Sequence, residues 1–191
     1  MKGSEIFRSE ISAIHNKKLG QAVAEFLDHH TPAYFYVVPS SSTGKYHPWY
    51  SNGFGGLVRH TKAAVKIAVD LLSLEQNKHL PADEIIAALI LHDTFKYGLP
   101  FRYEDDPDDH NTHTTHQHPL QAADAVRKFA PNTEACEELK CVACLISSHM
   151  GQWTTNSTGT ITLPKPENEA EKFVHMCDYL ASRKYITVEV E

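Results

Sequence analysis

The segment "PADEIIAALILHD", residues 81–93, constrains the fold more than any other part of the chain. Pro81 suits the first position of a helix, and the acids Asp83 and Glu84 lie where the helix dipole favours negative charge. The residues that follow are almost all apolar, and a helix that is apolar on every side is stable only when other elements cover it. The segment therefore predicts a buried central helix, which ends in an adjacent histidine and aspartate.

Amphipathic helices are predicted on both sides of this segment. Apolar residues recur at steps of three and four within residues 4–15, 19–30 and 57–72. Similar patterns predict helices at 119–129, 134–149 and 167–184. The stretch "AYFYVV" is expected to form a loop or one short strand, and the terminal "ITVEVE" a short strand or a frayed tail. The fold class is therefore all-α, a bundle of about six or seven helices in one domain over residues 1–191.

Composition limits where the protein works and what it binds. The formal net charge of -6 argues against coating nucleic acid through bulk electrostatics, although a local basic patch could still bind phosphates. No run of about 18 apolar residues is present, so we expect no membrane association and a cytoplasmic location. The four cysteines are expected to be reduced. Cys141 and Cys144 form a C-x-x-C without a second pair, and we interpret them as small buried residues rather than a zinc site.

Histidines and aspartates occur at or near the predicted helix ends. Imidazole nitrogens and carboxylate oxygens suit divalent ions such as manganese, iron, cobalt, nickel and zinc. Neighbouring residues on a helix diverge by about 100 degrees. His92 and Asp93 can therefore reach one ion only when it lies between them and other helices supply the remaining ligands. The candidate ligands are His60, His92, Asp93, His118, His149 and Asp178.

The ordered set of His60, the His92–Asp93 doublet and Asp178 resembles the motif of the HD-domain metal-dependent phosphohydrolases. The segments "GGLVRHT", "LILHDTFKYG", "ISSHMGQW" and "VHMCDYLASRK" look most like the HD domain of bacterial 3'-to-5' exoribonucleases and of small phage and bacterial HD proteins. The resemblance implies an HD core over about residues 55–183, preceded by an N-terminal helical extension over 1–54. It also implies a helical bundle with a central metal site.

The resemblance extends to a second ion. In the two-metal branch of this superfamily, the positions matched by His118 and His149 hold a second ion, and the aspartate of the doublet, here Asp93, bridges the two. His118 abuts the predicted helix start, whereas the other histidines of "HNTHTTHQH" lie in a long polar loop. His116 is the alternative ligand. The expected cofactor is one or two divalent transition-metal ions.

The expected reaction is hydrolysis of a phosphoester in a nucleotide or at the end of a short single-stranded oligonucleotide. A bound metal lowers the pKa of its water and neutralises charge on phosphoryl oxygens. Asp93 is the expected catalytic ligand. Lys96, one turn later, is expected to hold a phosphate oxygen, as the corresponding lysine is thought to do in many relatives. Arg102, Trp153 and Arg183 are further candidate substrate contacts, Trp153 as the wall of a base pocket.

Two other functions are compatible with the same residues. A minority of two-metal HD proteins are di-iron oxygenases, and an oxygen requirement would identify that reaction. A non-catalytic module could use the fold to sense a nucleotide without turning it over. The complete ligand set favours an enzyme, because degenerate domains usually lose some ligands.

Overall fold

The computed structural model describes residues 2–41, 44–98 and 114–190. Within these ranges the chain is all-α, and the prediction of about six or seven helices is confirmed. Eight α-helices are present, of which the first two are short pieces of the single N-terminal helix that the sequence predicts. The helices are α1 (Gly3–Ile6), α2 (Arg8–Ser12), α3 (Lys17–His29), α4 (Gly56–Leu72), α5 (Ala82–Leu91), α6 (His118–Phe129), α7 (Cys136–Ser147) and α8 (Glu169–Ala181).

Helix α5 is the centre of the bundle. Its seven residues from Ile85 to Leu91 are all buried, and α3, α4, α7 and α8 pack against it. Each fully buried leucine or isoleucine contributes roughly 1.5–3 kcal/mol. The apolar composition of α5 therefore fixes this helix inside the bundle, as the sequence predicts. No helix in the described ranges has both the length and the apolarity needed to cross a membrane.

The N-terminal helices are tied to the start of α5 by polar contacts. The side chain of Asn16 caps α3 by accepting hydrogen bonds from the backbone N–H groups of Lys18 and Leu19, at 3.1 and 3.2 Å. Asp83, in the first turn of α5, accepts from the backbone N–H groups of His15 and Asn16, both at 2.8 Å. The turn before α3 is thereby joined to the first turn of the central helix.

Two segments with strand-like sequences do not form strands. Residues Ala33–Tyr36 of "AYFYVV" form a 3-10 helix in which Phe35 is buried in the core. Residues 186–190 have no regular secondary structure. The strand alternatives are therefore wrong for both segments, since the described part of the chain holds no strand with which they could pair.

The interpretation of Cys141 and Cys144 as buried residues is wrong. Both are exposed, and the four cysteines of the chain are free. The core-facing side of α7 is formed by Leu139, Val142 and Ile146, which are fully buried. Because residues three and four apart share one face of a helix, burying these three residues leaves the two cysteines on the opposite face.

Candidate metal centre

Five helices bring their histidines and aspartates to one point in the bundle. Five of the six residues lie just outside a helix end or within its first turns, so the ends of different helices meet around them. All six are buried except Asp178, which is partly buried. We call this set the His/Asp cluster: His60 in α4, His92 and Asp93 directly after α5, His118 at the start of α6, His149 after α7, and Asp178 in α8.

One group of ligand atoms surrounds a point between α4, α5 and α8. His60 Nε2 lies 3.0 Å from Asp178 Oδ1. His92 Nε2 lies 3.6 Å from the same oxygen and 3.4 Å from Asp93 Oδ2. Ligands about 2.0–2.2 Å from a shared ion, at tetrahedral or octahedral angles, stand about 3–3.6 Å apart. His60, His92 and Asp178 therefore have the spacing of ligands to a single metal ion, and Asp93 Oδ2 lies beside them.

A second group lies on the other side of Asp93. His118 Nε2 is 3.1 Å from Asp93 Oδ1 and 3.1 Å from His149 Nε2. His149 Nε2 is 3.6 Å from Asp93 Oδ1. The two carboxylate oxygens of Asp93 thus face different groups of ligand atoms, Oδ2 towards the first and Oδ1 towards the second.

Backbone carbonyls fix the tautomers of three histidines. The Nδ1–H groups of His92, His118 and His149 donate to carbonyl oxygens three residues earlier in the chain, at 2.7, 2.6 and 2.7 Å. In a neutral imidazole this leaves a lone pair on Nε2. Hydrogen bonds of this kind hold the ring of a metal-bound histidine in the orientation that the metal requires. The three Nε2 atoms are therefore directed towards the centre of the cluster, and each can bind a metal when its ring is neutral.

The donor set of the cluster fits a divalent cation. His92 Nε2 and His60 Nδ1 are buried without a hydrogen-bond partner among the described residues. An unpaired buried nitrogen costs free energy, and a cation bound between His92 Nε2 and the carboxylates of Asp93 and Asp178 would satisfy it. His60, His92, Asp93, His149 and Asp178 can hold a metal ion, since their ligand atoms form groups in which all lie within 4.8 Å of one another.

The two carboxylates are ionised in this environment. Burial alone would raise the pKa of Asp93, but Lys96 and His92 hold it well below its usual range. Burial opposes ionisation of Asp178 as well, and there the hydrogen bonds and charges of His60 and His92 hold the pKa well below its usual range. The buried carboxylate of Asp93 and the partly buried one of Asp178 provide the negative charge that a divalent ion needs.

The surroundings in the cluster shift the pKa values of two histidines in opposite directions. Burial alone would lower the pKa of His92, but the carboxylates of Asp93 and Asp178 raise it to about 10. For His118, burial and the positive charge of Lys96 outweigh Asp93 and lower the pKa to about 4. Without a metal, a proton on His92 therefore balances the two carboxylates, whereas His118 is a neutral ligand.

Lys96 lies against the cluster and binds Asp93. Its Nζ donates to Asp93 Oδ2 at 2.9 Å and to Oδ1 at 3.2 Å, and its side chain is 13% exposed. The turn after α5 places Nζ here, because residues three apart in a helical turn are neighbours. The lysine predicted to hold phosphate is thus paired with Asp93 and retains a small exposed surface.

Trp153 and Arg183 meet at Tyr179, a residue that no motif in the sequence indicates. The Trp153 ring stacks on Tyr179, with centroids 5.8 Å apart and planes 17° from parallel. The Arg183 guanidinium lies 4.3 Å from the centroid of the same Tyr179 ring. Trp153 is 43% exposed, so the stack has an open aromatic surface. Tyr179 directly follows Asp178, which is the signal that could have identified it. Arg102 lies outside the described residues.

His175 supports the turn that carries His149. Its Nδ1–H donates to the backbone carbonyl of His149 at 2.8 Å, and its ring meets Trp153 edge-on at 5.8 Å. Gly151 makes this contact possible, since a Cβ atom there would lie 2.2 Å from the His175 ring. Gly151 also has a φ of 62°, a conformation that favours glycine.

His116 and His118 occupy different environments. His118 makes the contacts with Asp93 and His149, whereas His116 Nε2 is buried without a hydrogen-bond partner in the described part of the chain. The geometry therefore places His118, rather than His116, within the cluster.

A further histidine, His47, lies beside the cluster, and no periodicity in the sequence indicates it. Its ring centroid is 5.8 Å from that of His60. Burial, together with the neighbouring His60 and Lys96, lowers the pKa of His47 to about 4, so the ring is neutral at pH 7.

No protein-family model, curated protein or solved structure matches this chain. The HD-domain assignment therefore stays a prediction from the resemblance of its motifs. The metal-binding capacity of the cluster, in contrast, follows from the positions of its own atoms.

Proposed function

We propose that this protein is a metal-dependent phosphohydrolase that cleaves a phosphoester of a nucleotide or of the end of a short single-stranded oligonucleotide. The observation that carries the proposal is the convergence of four imidazole Nε2 atoms on the carboxylates of Asp93 and Asp178. The ordered motif that resembles HD-domain phosphohydrolases supports the same reaction.

The two groups of ligand atoms would hold two ions, joined by Asp93. His60, His92 and Asp178 would complete the first site, and His118 and His149 the second. Manganese, iron, cobalt, nickel or zinc in such sites lowers the pKa of bound water and neutralises charge that develops on phosphoryl oxygens. The protein's own part is to hold these ligands rigidly, through the carbonyl contacts of the Nδ1 atoms and the packing around α5.

In this proposal Lys96 binds the phosphoryl group of the substrate. Its ammonium group is paired with Asp93, and a substrate oxygen that reached Nζ would gain a charge-assisted hydrogen bond. Lys96 would in this way stabilise negative charge on the phosphoryl group while Asp93 holds the metal.

The stack of Trp153, Tyr179 and Arg183 supports a substrate that carries a base. Aromatic side chains bind nucleobases by stacking, at about 1–3 kcal/mol per base, with little preference for sequence. The open surface of Trp153 is available for such contact, and Arg183 would supply positive charge for a phosphate. With a net charge of -6, the protein is better suited to a nucleotide or a strand end than to a long duplex.

The experiment is an anaerobic incubation of metal-loaded protein with a panel of nucleotides and short single-stranded RNAs. Products are identified by mass spectrometry, with manganese, cobalt or nickel added. We expect release of phosphate, pyrophosphate or a nucleoside monophosphate. The Asp93→Ala variant and chelated protein should release none, whereas Arg127→Ala, an arginine on α6 that pairs with Asp124, should act like the wild type.

Three results would favour a different function or substrate. Turnover that requires oxygen would identify a di-iron oxygenase. Nucleotide binding without any product, whichever metal is supplied, would favour a sensing module. Preference for long duplexes over nucleotides would contradict the proposed substrate.

A further inference from the structure

Residues 44–51 are attached to the C-terminal end of α8 by contacts on both sides of His47. The backbone carbonyl of Tyr46 accepts a hydrogen bond from Lys184 N at 2.9 Å, and the Tyr50 hydroxyl donates to the carbonyl of Ala181 at 3.4 Å. Both contacts are made with the C-terminal end of α8 and the residues that follow it. They bracket His47 and limit how far it can move.

The same segment is fixed to α4 next to the metal ligand His60. The guanidinium of Arg59 donates to the carbonyl of Tyr50 and, just after the segment, to that of Asn52 at 3.0 Å. Gly56 allows a close approach, since a Cβ atom there would lie 2.1 Å from the Ser51 carbonyl oxygen. His47 is therefore presented by a segment that is attached to α4 and α8, the two helices that carry ligands of the first group.

His47 has a buried polar atom that the protein does not satisfy. Nδ1 has no hydrogen-bond partner among the described residues. The ring lies against His60, and the other charged groups near it are Lys96, Asp178 and Asp93. His47 is not part of either group of ligand atoms found in the described residues. A buried polar atom without a partner beside such a site indicates that its hydrogen-bond partner is an atom of the bound ligand.

We propose that His47 is a substrate-binding residue of this site. With its proton on Nδ1, the ring donates a hydrogen bond to a phosphoryl oxygen of the substrate, in addition to the contact from Lys96. A charged phosphoryl oxygen is a strong acceptor, and a hydrogen bond to it is stronger than one between neutral groups. This inference rests on the proposed function, since it requires a phosphorylated ligand at the metal centre.

Two substitutions separate hydrogen bonding from packing. His47→Asn keeps an N–H donor close to the position of Nδ1, whereas His47→Phe keeps an aromatic ring against His60 but has no donor. The probe is inorganic phosphate, titrated calorimetrically into manganese-loaded protein. We expect His47→Phe to bind phosphate about ten- to a hundredfold more weakly, and His47→Asn to stay within a few-fold of the wild type.

Two further measurements give readouts other than activity. Metal content per chain and the thermal unfolding midpoint should be unchanged in both variants, because His47 contacts substrate rather than metal. In zinc-loaded protein, which is diamagnetic, phosphate should shift the nitrogen resonance of His47 Nδ1. His79→Phe, which replaces an exposed histidine paired with Glu169, is the matched control and should bind phosphate normally.

The outcomes distinguish this inference from the proposed function. Equal phosphate affinity in His47→Phe and wild type, with product release intact, would overturn the role of His47 alone. Loss of metal in His47→Phe would also overturn it, since His47 would then support the metal rather than the substrate. Wild-type protein that binds metal but neither binds phosphate nor hydrolyses nucleotides would overturn both proposals.

Discussion

His118 Nε2 lies 3.1 Å from His149 Nε2, although each ring already uses its Nδ1–H group to donate to a backbone carbonyl. Two Nε2 lone pairs at this distance repel each other unless a cation or a proton lies between them. Asp93 Oδ1, 3.1 Å from His118, adds a third acceptor to the same point. A buried histidine that only fills the core finds a donor or acceptor for each nitrogen, and this pair does not.

The first prediction concerns metal stoichiometry. Protein purified after growth with manganese, iron and zinc should contain about two ions per chain, and the double variant His118→Ala/His149→Ala should contain about one. The first group keeps its own ligands, His60, His92 and Asp178, so it should still bind. Metal per chain, measured by inductively coupled plasma mass spectrometry after dialysis, tests this expectation.

The control for the first prediction is His116→Ala. His116 makes none of the contacts that join the cluster in the described residues, so this variant should keep both ions. Loss of an ion in His116→Ala, with normal content in His118→Ala, would show that the ligand assignment is reversed. Wild-type protein without any bound metal would contradict the metal centre itself.

The second prediction compares Asp93→Ala with Lys96→Ala. Asp93 presents its two oxygens to both groups of ligand atoms, so its loss should remove metal and abolish turnover. Lys96 contributes one preorganised charge, and losing such a contact costs about 2.7–4 kcal/mol, a factor of about a hundred to a thousand in kcat. Lys96→Ala should therefore keep its metal and show this smaller loss. Equal defects in turnover and metal content would contradict the two roles.

The sequence predicts the positions of the helices around the cluster better than it predicts which face of each helix is buried. The apolar run of α5 specifies a buried helix whichever partners cover it, so its place at the centre follows from composition alone. The prediction that Cys141 and Cys144 are buried is wrong because α7 has more apolar residues than one face of the helix can bury. Which face packs is decided by neighbouring helices, and that information is not local.

The ligands follow from an ordered motif, whereas the residues around them follow from the packing of distant segments. His60, His92, Asp93 and Asp178 could be selected because their types and order carry chemistry. No such pattern indicates Tyr179 or His47. Their positions depend on contacts between segments far apart in the chain, such as that of Tyr46 with Lys184, and a single sequence does not contain these contacts.

The third prediction is a pH dependence of metal binding at the first group. In metal-free protein the pKa of His92 is about 10, so the ring is protonated at pH 7 and must lose its proton to bind metal. Affinity should therefore rise as pH rises from 6.5 to 8.5, by up to about tenfold per unit. Titration calorimetry in buffers of different ionisation enthalpy should detect release of about one proton per ion.

Metal binding at the second group should depend less on pH, so it serves as the comparison for this prediction. The pKa of His118 is about 4, so its ring is neutral throughout this pH range and releases no proton. In metal-free protein, the stability contributed by His92 should be complete below about pH 6.5 and decline as pH rises towards 10. A pH-independent affinity at the first group would contradict the proton exchange.

The fourth prediction separates backbone strain from steric clash at two glycines. Gly151 and Gly159 both have positive φ, 62° and 80°, so alanine at either position should cost about 1–2 kcal/mol of folding free energy. A Cβ at Gly159 meets nothing within 4 Å, whereas at Gly151 it would lie 2.2 Å from the His175 ring. Gly151→Ala should lose roughly a further 1–3 kcal/mol.

The clash between a Cβ atom at Gly151 and the His175 ring should also weaken metal binding. His175 donates to the carbonyl of His149, so displacing His175 should weaken the second ion while Gly159→Ala keeps both ions. Thermal unfolding and metal content measure the two effects. The double variant Gly151→Ala/His175→Ala removes the ring that clashes, and it should be more stable than the sum of the two single changes predicts. Additive losses, or a Gly151→Ala variant no worse than Gly159→Ala in both measurements, would show that this contact does not position His149.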